Sequence, residues 1–223
     1  MGFDRILSPK QKALEINLNS RIYGTFAEIG AGQETVRFFY RAGGASGTLA
    51  KAMSAYDKNF SDAIYGKEED GRYVTEKRLK KMLDHEMALI EERLNDEQYK
   101  DKLFFSYANT VTTIDFTKTS KGHGWVGIRF QADKTHKDYS EIIIHVNFKE
   151  NSAPLQQETL GVLGENLIHS AYFHHDDPRK ILRSLYDSLV MDQLEIDAIN
   201  FSGPGFAYVD NRLLSLRLVN NHM

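Results

Sequence analysis

A glycine turn between a strand pattern and a helix pattern is the feature that most restricts the fold of this chain. Residues 23–29 alternate in a way that predicts a short strand. Residues 30–32, Gly-Ala-Gly, interrupt that pattern, and residues 33–42 carry apolar side chains at helical spacing. A strand that leads through glycines into a helix indicates a protein of the α/β class.

Patterns further along the chain support that class. Strand-like runs rich in aromatic and β-branched residues occur at 103–116, 125–131, 141–148 and 194–201, and an apolar run occupies 212–219. Helices are predicted at 9–17, 33–42, 46–55, 75–94, from 154 to about 168, and 178–190. The runs at 125–131 and 141–148 are predicted to pair antiparallel, because a short polar segment joins them.

We therefore predict a mixed α/β (α+β) fold, with a mixed sheet of at least four strands covered by helices and a helix-rich N-terminal part. The prediction is one domain over residues 1–223. Within it, residues 1–100 are expected to form a helical layer and residues 101–223 to contain the sheet.

Composition excludes several kinds of site. The chain of 223 residues has no cysteine, which excludes disulfides, thiolate nucleophiles and thiolate metal ligands. It shows neither a secretory signal nor a run of about 18 apolar residues, so we expect a soluble, cytoplasmic protein without a membrane partner. A net charge of −3 argues against general affinity for nucleic acid.

The glycine turn is also the first candidate for chemistry. Glu28, Gly30 and Gly32, followed by Gln33 and Glu34, resemble the first motif of Rossmann-type methyltransferases. Glycines at a strand-to-helix turn let a ligand approach the backbone, and the amides at a helix start attract anions.

Two observations weaken the cofactor interpretation. The third glycine of the dinucleotide fingerprint is replaced by Thr35, and helices are predicted where a second strand should follow. A purely structural turn is the alternative. Residues 43–48 are glycine-rich as well, but they lack the lysine of a P-loop and are also explained by close packing.

Further candidates lie on the later strands. Arg129 follows the tryptophan-containing segment 123–128 and could hold a phosphate or carboxylate, and the loop 201–206 follows a strand end. His123 and His145 lie on candidate strands and could converge in space. The remaining histidines lack the spacing of helical zinc ligands, so no metal is predicted and the cofactor is left unknown.

Specific strings over most of the chain resemble an uncharacterised bacterial family. They are 23–34 (YGTFAEIGAGQE), 41–48 (containing GGASGT), 54–57 (SAYD), 124–131, 160–164 and 209–213. Members of that family carry conflicting labels, nicotinate-nucleotide adenylyltransferase and TonB-dependent receptor. This chain has neither the H-x-G-H-type motif of the first nor the secretory signal of the second. The resemblance also implies a shorter member or the N-terminal portion of a longer architecture.

Three functional hypotheses follow. The first is binding of a nucleotide or another phosphorylated small molecule at the glycine turn. The second is a non-catalytic scaffold or partner-binding module, with a protein partner or a homo-oligomer. The third is an S-adenosylmethionine-dependent methyltransferase-like protein. The sequence alone does not distinguish an enzyme from a binding protein.

Overall fold

One six-stranded mixed sheet organises the protein in the computed structural model, which describes residues 6–134 and 138–211. The strands are β1 (Ile22–Ile29), β2 (Leu49–Met53), β3 (Leu103–Thr112), β4 (His123–Phe130), β5 (Ser140–Phe148) and β6 (Leu194–Ser202). The helices are α1 (Pro9–Leu18), α2 (Glu34–Ala42), α3 (Lys58–Tyr65), α4 (Glu76–Arg93), α5 (Ala153–Phe173) and α6 (Pro178–Ser184).

The strand order is β2-β1-β3-β4-β5-β6. β1 runs parallel to both β2 and β3, whereas β3, β4, β5 and β6 pair antiparallel in succession. The predicted mixed sheet and the predicted antiparallel pair β4–β5 are both confirmed. The first hundred residues contribute β1 and β2 to this sheet in addition to four helices.

Helices cover the two faces of the sheet unequally. On one face α1, α2, α5 and α6 bury a large core, in which residues such as Phe39, Leu163 and Leu167 meet Phe26 and Ile128 of the strands. On the other face α4 packs against β1, β3 and β4. The apolar stripe of α4 explains this placement, since its residues are buried against the central strands.

Helix starts follow the signals in the sequence. Ser8 accepts a hydrogen bond from the amide of Gln11 and forms a capping box with it, and Thr75 caps α4 through the amide of Arg78. Asp177 caps α6, which ends at Ser184 and is shorter than predicted. The apolar run at 212–219 lies outside the described residues.

The predicted helix at 46–55 is wrong. A short 3₁₀ turn at Ala45–Gly47 leads into β2, whose residues pair with β1 from Gly24 to Ala27. A short apolar run fits a strand or a helix equally well, and here the open edge of β1 decides in favour of the strand. The chain therefore contains a complete β-α-β unit, whose second strand the sequence pattern does not predict.

Among the helices of the described residues, none has the length and apolar character needed to cross a membrane.

Candidate functional site

The carboxyl ends of the parallel strands β1, β2 and β3 meet at one edge of the sheet. From β1 the chain passes through α2 to β2, and it then returns through α3 and α4 to β3 on the other side of β1. The connections therefore diverge between β1 and β3, and open α/β sheets bind ligands at such points. We call this region, residues 29–34 and 110–114, the carboxyl edge.

Glu28 lies at the end of β1 with its carboxylate turned inward. The carboxylate accepts hydrogen bonds from the amides of Thr35 (3.1 Å) and Val36 (2.9 Å) in the first turn of α2. It also accepts one from Asn109 Nδ2 (3.2 Å) on β3. Glu28 thus occupies an internal anion position at the start of the helix, where the helix dipole favours a negative charge.

Burial governs the charge on Glu28. The side chain is fully buried, and burial raises its pKa to about 7 against the opposing effect of the hydrogen bonds from Val36, Thr35 and Asn109. The carboxyl group is therefore close to half-protonated at neutral pH.

A buried polar network holds this turn in place. Thr35 Oγ1 lies 3.0 Å from the hydroxyl of Tyr107, and Asn109 Oδ1 accepts a hydrogen bond from the amide of Ile29 (3.2 Å). Together with the contacts of Glu28, these bonds tie β1, β3 and the start of α2 to one another. The orientation of the turn is thus fixed by groups that no solvent reaches.

The pKa of Glu28 predicts a pH-dependent stability. The folded state holds its proton more tightly than the unfolded state, so this stabilisation is fully present below pH 4.5 and is lost as the pH rises through 7. We expect the unfolding free energy of the parent protein to fall by about 3 kcal/mol relative to Glu28→Gln across that interval. Urea denaturation of both proteins at several pH values measures this difference, in which other titrating groups cancel. A difference that stays constant with pH would contradict the assignment.

Gly30 and Gly32 both adopt positive φ, but for different reasons. A Cβ atom on Gly30 (φ 102°) would lie 1.8 Å from the carbonyl oxygen of Val111, so only glycine lets the turn pass this close to β3. A Cβ atom on Gly32 (φ 78°) would meet no atom within 4 Å. Packing therefore requires Gly30, whereas Gly32 borders open space.

Gln33 and Glu34 form the outer side of the turn. The Gln33 side chain is exposed and makes no capping hydrogen bond. Glu34 begins α2, pairs with Arg37 at 3.1 Å and lies against Gly161 of α5. Within residues 6–134 and 138–211, the amides of Gly32, Gln33 and Glu34 have no hydrogen-bond acceptor. The outermost amides of the turn are thus available to a ligand.

The structure does not bring Arg129 to this turn. β4 runs antiparallel to β3, so its later residues lie toward the amino ends of the parallel strands, and Arg129 pairs in register with Ser106. That position is about 13 Å along the sheet from Thr110. The guanidinium pairs with Glu141 (2.8 Å) and with Asp84. Burial lowers the pKa of Arg129, but these two carboxylates raise it on balance.

A second buried carboxylate lies under the other face of the sheet. Glu86 of α4 is fully buried and accepts hydrogen bonds from Thr25 Oγ1 (3.0 Å) and from the hydroxyl of Tyr65 (2.8 Å). It also pairs with Lys51 of β2 at 2.6 Å. In the sequence, only the place of Glu86 on the apolar stripe of α4 indicates that it is buried. That pattern does not identify its hydrogen-bond partners.

The helical histidines have local partners. His169 Nε2 lies 2.8 Å from a carboxylate oxygen of Glu15, and its ring stacks on Phe173. In the part of the chain that the structure describes, no group of three or more His, Asp or Glu side chains could hold a metal ion.

The sheet with helices on both faces defines an α/β protein. Among solved structures, the chain is similar to a competence-damaged protein (CinA) superfamily protein from Enterobacter cloacae, with a TM-score of 0.52 and 11% identity, covering 77% of this chain and 96% of that one. It is also similar to the competence damage-inducible protein A (ComA) from Klebsiella pneumoniae subsp. pneumoniae MGH 78578, with a TM-score of 0.52 and 9% identity, covering 75% of this chain and 100% of that one.

At these identities the likeness concerns the fold alone. No family model and no curated protein matches the chain. The family resemblance noted in the sequence therefore stays a prediction.

Proposed function

We propose that this chain binds a nucleotide or another phosphorylated small molecule at the carboxyl edge. The free amides of residues 32–34 carry the proposal, because unpaired amides and the positive end of a helix dipole together attract an anion. Gly32 adds the space that a phosphate needs, since nothing lies within 4 Å of the position of its missing side chain. The place also agrees with the general position of ligands in open α/β sheets.

Glu28 divides the amides of the turn into two sets. Its carboxylate takes those of Thr35 and Val36, and the ligand would take the outer ones. Two anions would then share one helix start, so phosphate binding should favour the protonated form of Glu28. Affinity is therefore expected to weaken as the pH rises through about 7, the pKa of this buried carboxyl group.

The other side chains at the turn suit this ligand class. Gln33 is exposed and free to donate to a phosphate oxygen or to a hydroxyl group. Arg37 lies one turn into α2 with about half of its side chain exposed, so it can supply the positive charge that Arg129 does not bring here. Glu34 holds Arg37 near the turn through their ion pair.

A pair of variants at Gly32 tests the proposal. Asp and Asn both tolerate positive φ and have nearly the same volume, so Gly32→Asp and Gly32→Asn differ mainly in charge. We expect Gly32→Asp to bind at least about tenfold more weakly than Gly32→Asn, because a carboxylate at the open position repels the phosphate.

The measurement is calorimetric titration with inorganic phosphate and with nucleoside mono-, di- and triphosphates. If none of these probes binds to the parent protein, or if both variants bind equally well, the proposal is wrong.

The methyltransferase alternative is less well supported. β2 supplies the second parallel strand that such a protein needs, but no acidic residue stands at its end to hold a ribose. The first acidic residue after Met53 is Asp57, which caps α3 by accepting a hydrogen bond from the amide of Phe60 (2.8 Å).

A further inference from the structure

Two histidines and an aspartate line up across β4, β5 and β6 on the face that carries α4. His123 Nδ1 lies 3.2 Å from His145 Nε2, and His145 Nδ1 lies 2.6 Å from Asp197 Oδ1. Asn147 Nδ2 donates a hydrogen bond to Asp197 Oδ2 at 2.7 Å. The two strand histidines therefore do converge, as their pattern suggested. We call His123, His145 and Asp197 the relay.

A β-bulge places the aspartate. His145 pairs with Ala198 and Val146 pairs with Ile196, so Asp197 is the extra residue on β6 between these pairs. A bulge of this kind re-aims a side chain, and here it directs the carboxylate of Asp197 to the ring of His145. The relay thus depends on the β-bulge at Asp197, because regular pairing of β5 and β6 would not bring these side chains together.

When both rings are neutral, the hydrogen bonds allow one protonation pattern. The ionised Asp197 only accepts, so His145 Nδ1 must carry a proton and Nε2 of the neutral ring is an acceptor. His123 Nδ1 must then donate to it, which leaves the lone pair of His123 Nε2 without a proton. Among the described residues no group hydrogen-bonds to this nitrogen. The relay therefore ends in a basic nitrogen at the protein surface.

His123 Nε2 lies near the proposed ligand site. His123 pairs in register with Thr112, the last residue of β3, so it lies at the carboxyl edge and two strands away from β1. Two strand spacings amount to about 10 Å. On this face His145 and Asn147 of β5 are half-buried and β6 presents exposed side chains, because α4 packs on β1, β3 and β4.

We propose that the relay is a proton-transfer site, in which His123 Nε2 acts as general base on water or on a hydroxyl group of a small molecule at the carboxyl edge. His123 Nε2 takes the proton, the Nδ1 proton of His123 moves to His145 Nε2, and Asp197 stabilises the resulting imidazolium. His123 is the group that meets the substrate, whereas His145 and Asp197 position it. The inference goes beyond phosphate binding and stands without it.

The surrounding charges are consistent with a neutral His123. Burial lowers its pKa, a positive charge on His145 would lower it further, and Asp197 raises it. The neighbouring carboxylate Glu195 pairs with Lys149 at 3.8 Å instead. The free imidazole base is therefore the form present near neutral pH.

Nitrogen-15 NMR of the full chain tests the proposal without any ligand. Long-range ¹H–¹⁵N correlations report which ring nitrogen carries the proton, and we expect protonated Nδ1 and bare Nε2 in both His123 and His145. In Asp197→Asn no carboxylate requires a proton on His145 Nδ1. His123 should therefore shift toward the Nε2-protonated tautomer that free imidazole side chains prefer. A proton on His123 Nε2 in the neutral parent protein would overturn the proposal.

A chemical probe gives a second readout. Diethyl pyrocarbonate acylates a bare ring nitrogen, so the rate of acylation at His123 Nε2 should fall severalfold in Asp197→Asn and in His145→Gln, in which Nδ1 becomes the bare nitrogen. Glu195→Gln is the matched control, because it removes an exposed carboxylate two residues earlier on the same strand and should leave the rate unchanged. Equal rates in all four proteins would also overturn the proposal.

Discussion

Gly30→Ala should lower the free energy of unfolding by about 4 kcal/mol, because it combines an unfavourable backbone conformation with a clash. The residue has φ 102°, and an added Cβ would lie 1.8 Å from the carbonyl oxygen of Val111. The backbone of the turn fixes the new Cβ, and the oxygen of Val111 belongs to the main chain of β3, so neither can rotate away. Urea denaturation followed by circular dichroism measures the loss.

Gly32→Ala is the matched control for this prediction. Its φ of 78° is also unfavourable for alanine, but the new methyl group would meet no atom within 4 Å. The expected loss is about 1 kcal/mol, from the backbone conformation alone. Similar losses in the two variants would show that the approach of the turn to β3 does not govern its stability.

Much of the fold was predictable because burial gives a strand or a helix its period. β3, β5 and α5 are buried along most of their length and stand out as apolar runs, and the caps of α1, α4 and α6 are visible as short polar signals. β2 was missed for a physical reason. It has five residues and lies at the edge of the sheet, so its pairing with β1 and not its composition makes it a strand.

The glycine turn was predictable as a place, but the roles of its residues were not. The sequence cannot show whether the carboxylate of Glu28 faces a ligand or the amides of its own helix, and the structure places it on the amides. Nor can it distinguish Gly30, which packing requires, from Gly32, which borders open space. Both distinctions depend on β3, which lies some eighty residues further along the chain.

The positions of the other candidate residues depend on strand direction and register, which the sequence does not show. The sequence pattern predicts an anion contact at Arg129, but the antiparallel direction of β4 places this residue away from the carboxyl edge. His123, at the opposite end of the same strand, lies at that edge. Asp197 could not be connected with the histidines, because a bulge and not a sequence period brings it to His145.

Lys12→Met should be the other large effect, with a loss of about 4 kcal/mol. Lys12 is almost fully buried, and its Nζ donates to Asn166 Oδ1 (2.7 Å), Ser184 Oγ (2.9 Å) and Asp187 Oδ2 (2.7 Å). Burial lowers the pKa of Lys12, and Asp187 opposes that shift. Methionine would fill the space of the stem but leave Asn166 and Asp187 without their cation, at a place where α1, α5 and the end of α6 come together.

The reason for the loss can be tested by comparing variants. Lys10→Met removes an exposed lysine from the same helix, and its effect should stay within about 0.5 kcal/mol. Lys12→Met/Asp187→Asn removes both charges, so it should recover part of the loss of the single variant if an unpaired, half-buried carboxylate is the cause. Thermal or urea unfolding of all three proteins decides between the explanations. A double variant no more stable than Lys12→Met would mean that the lost hydrogen bonds of Nζ to Asn166 and Ser184, and not an unpaired carboxylate, cause the loss.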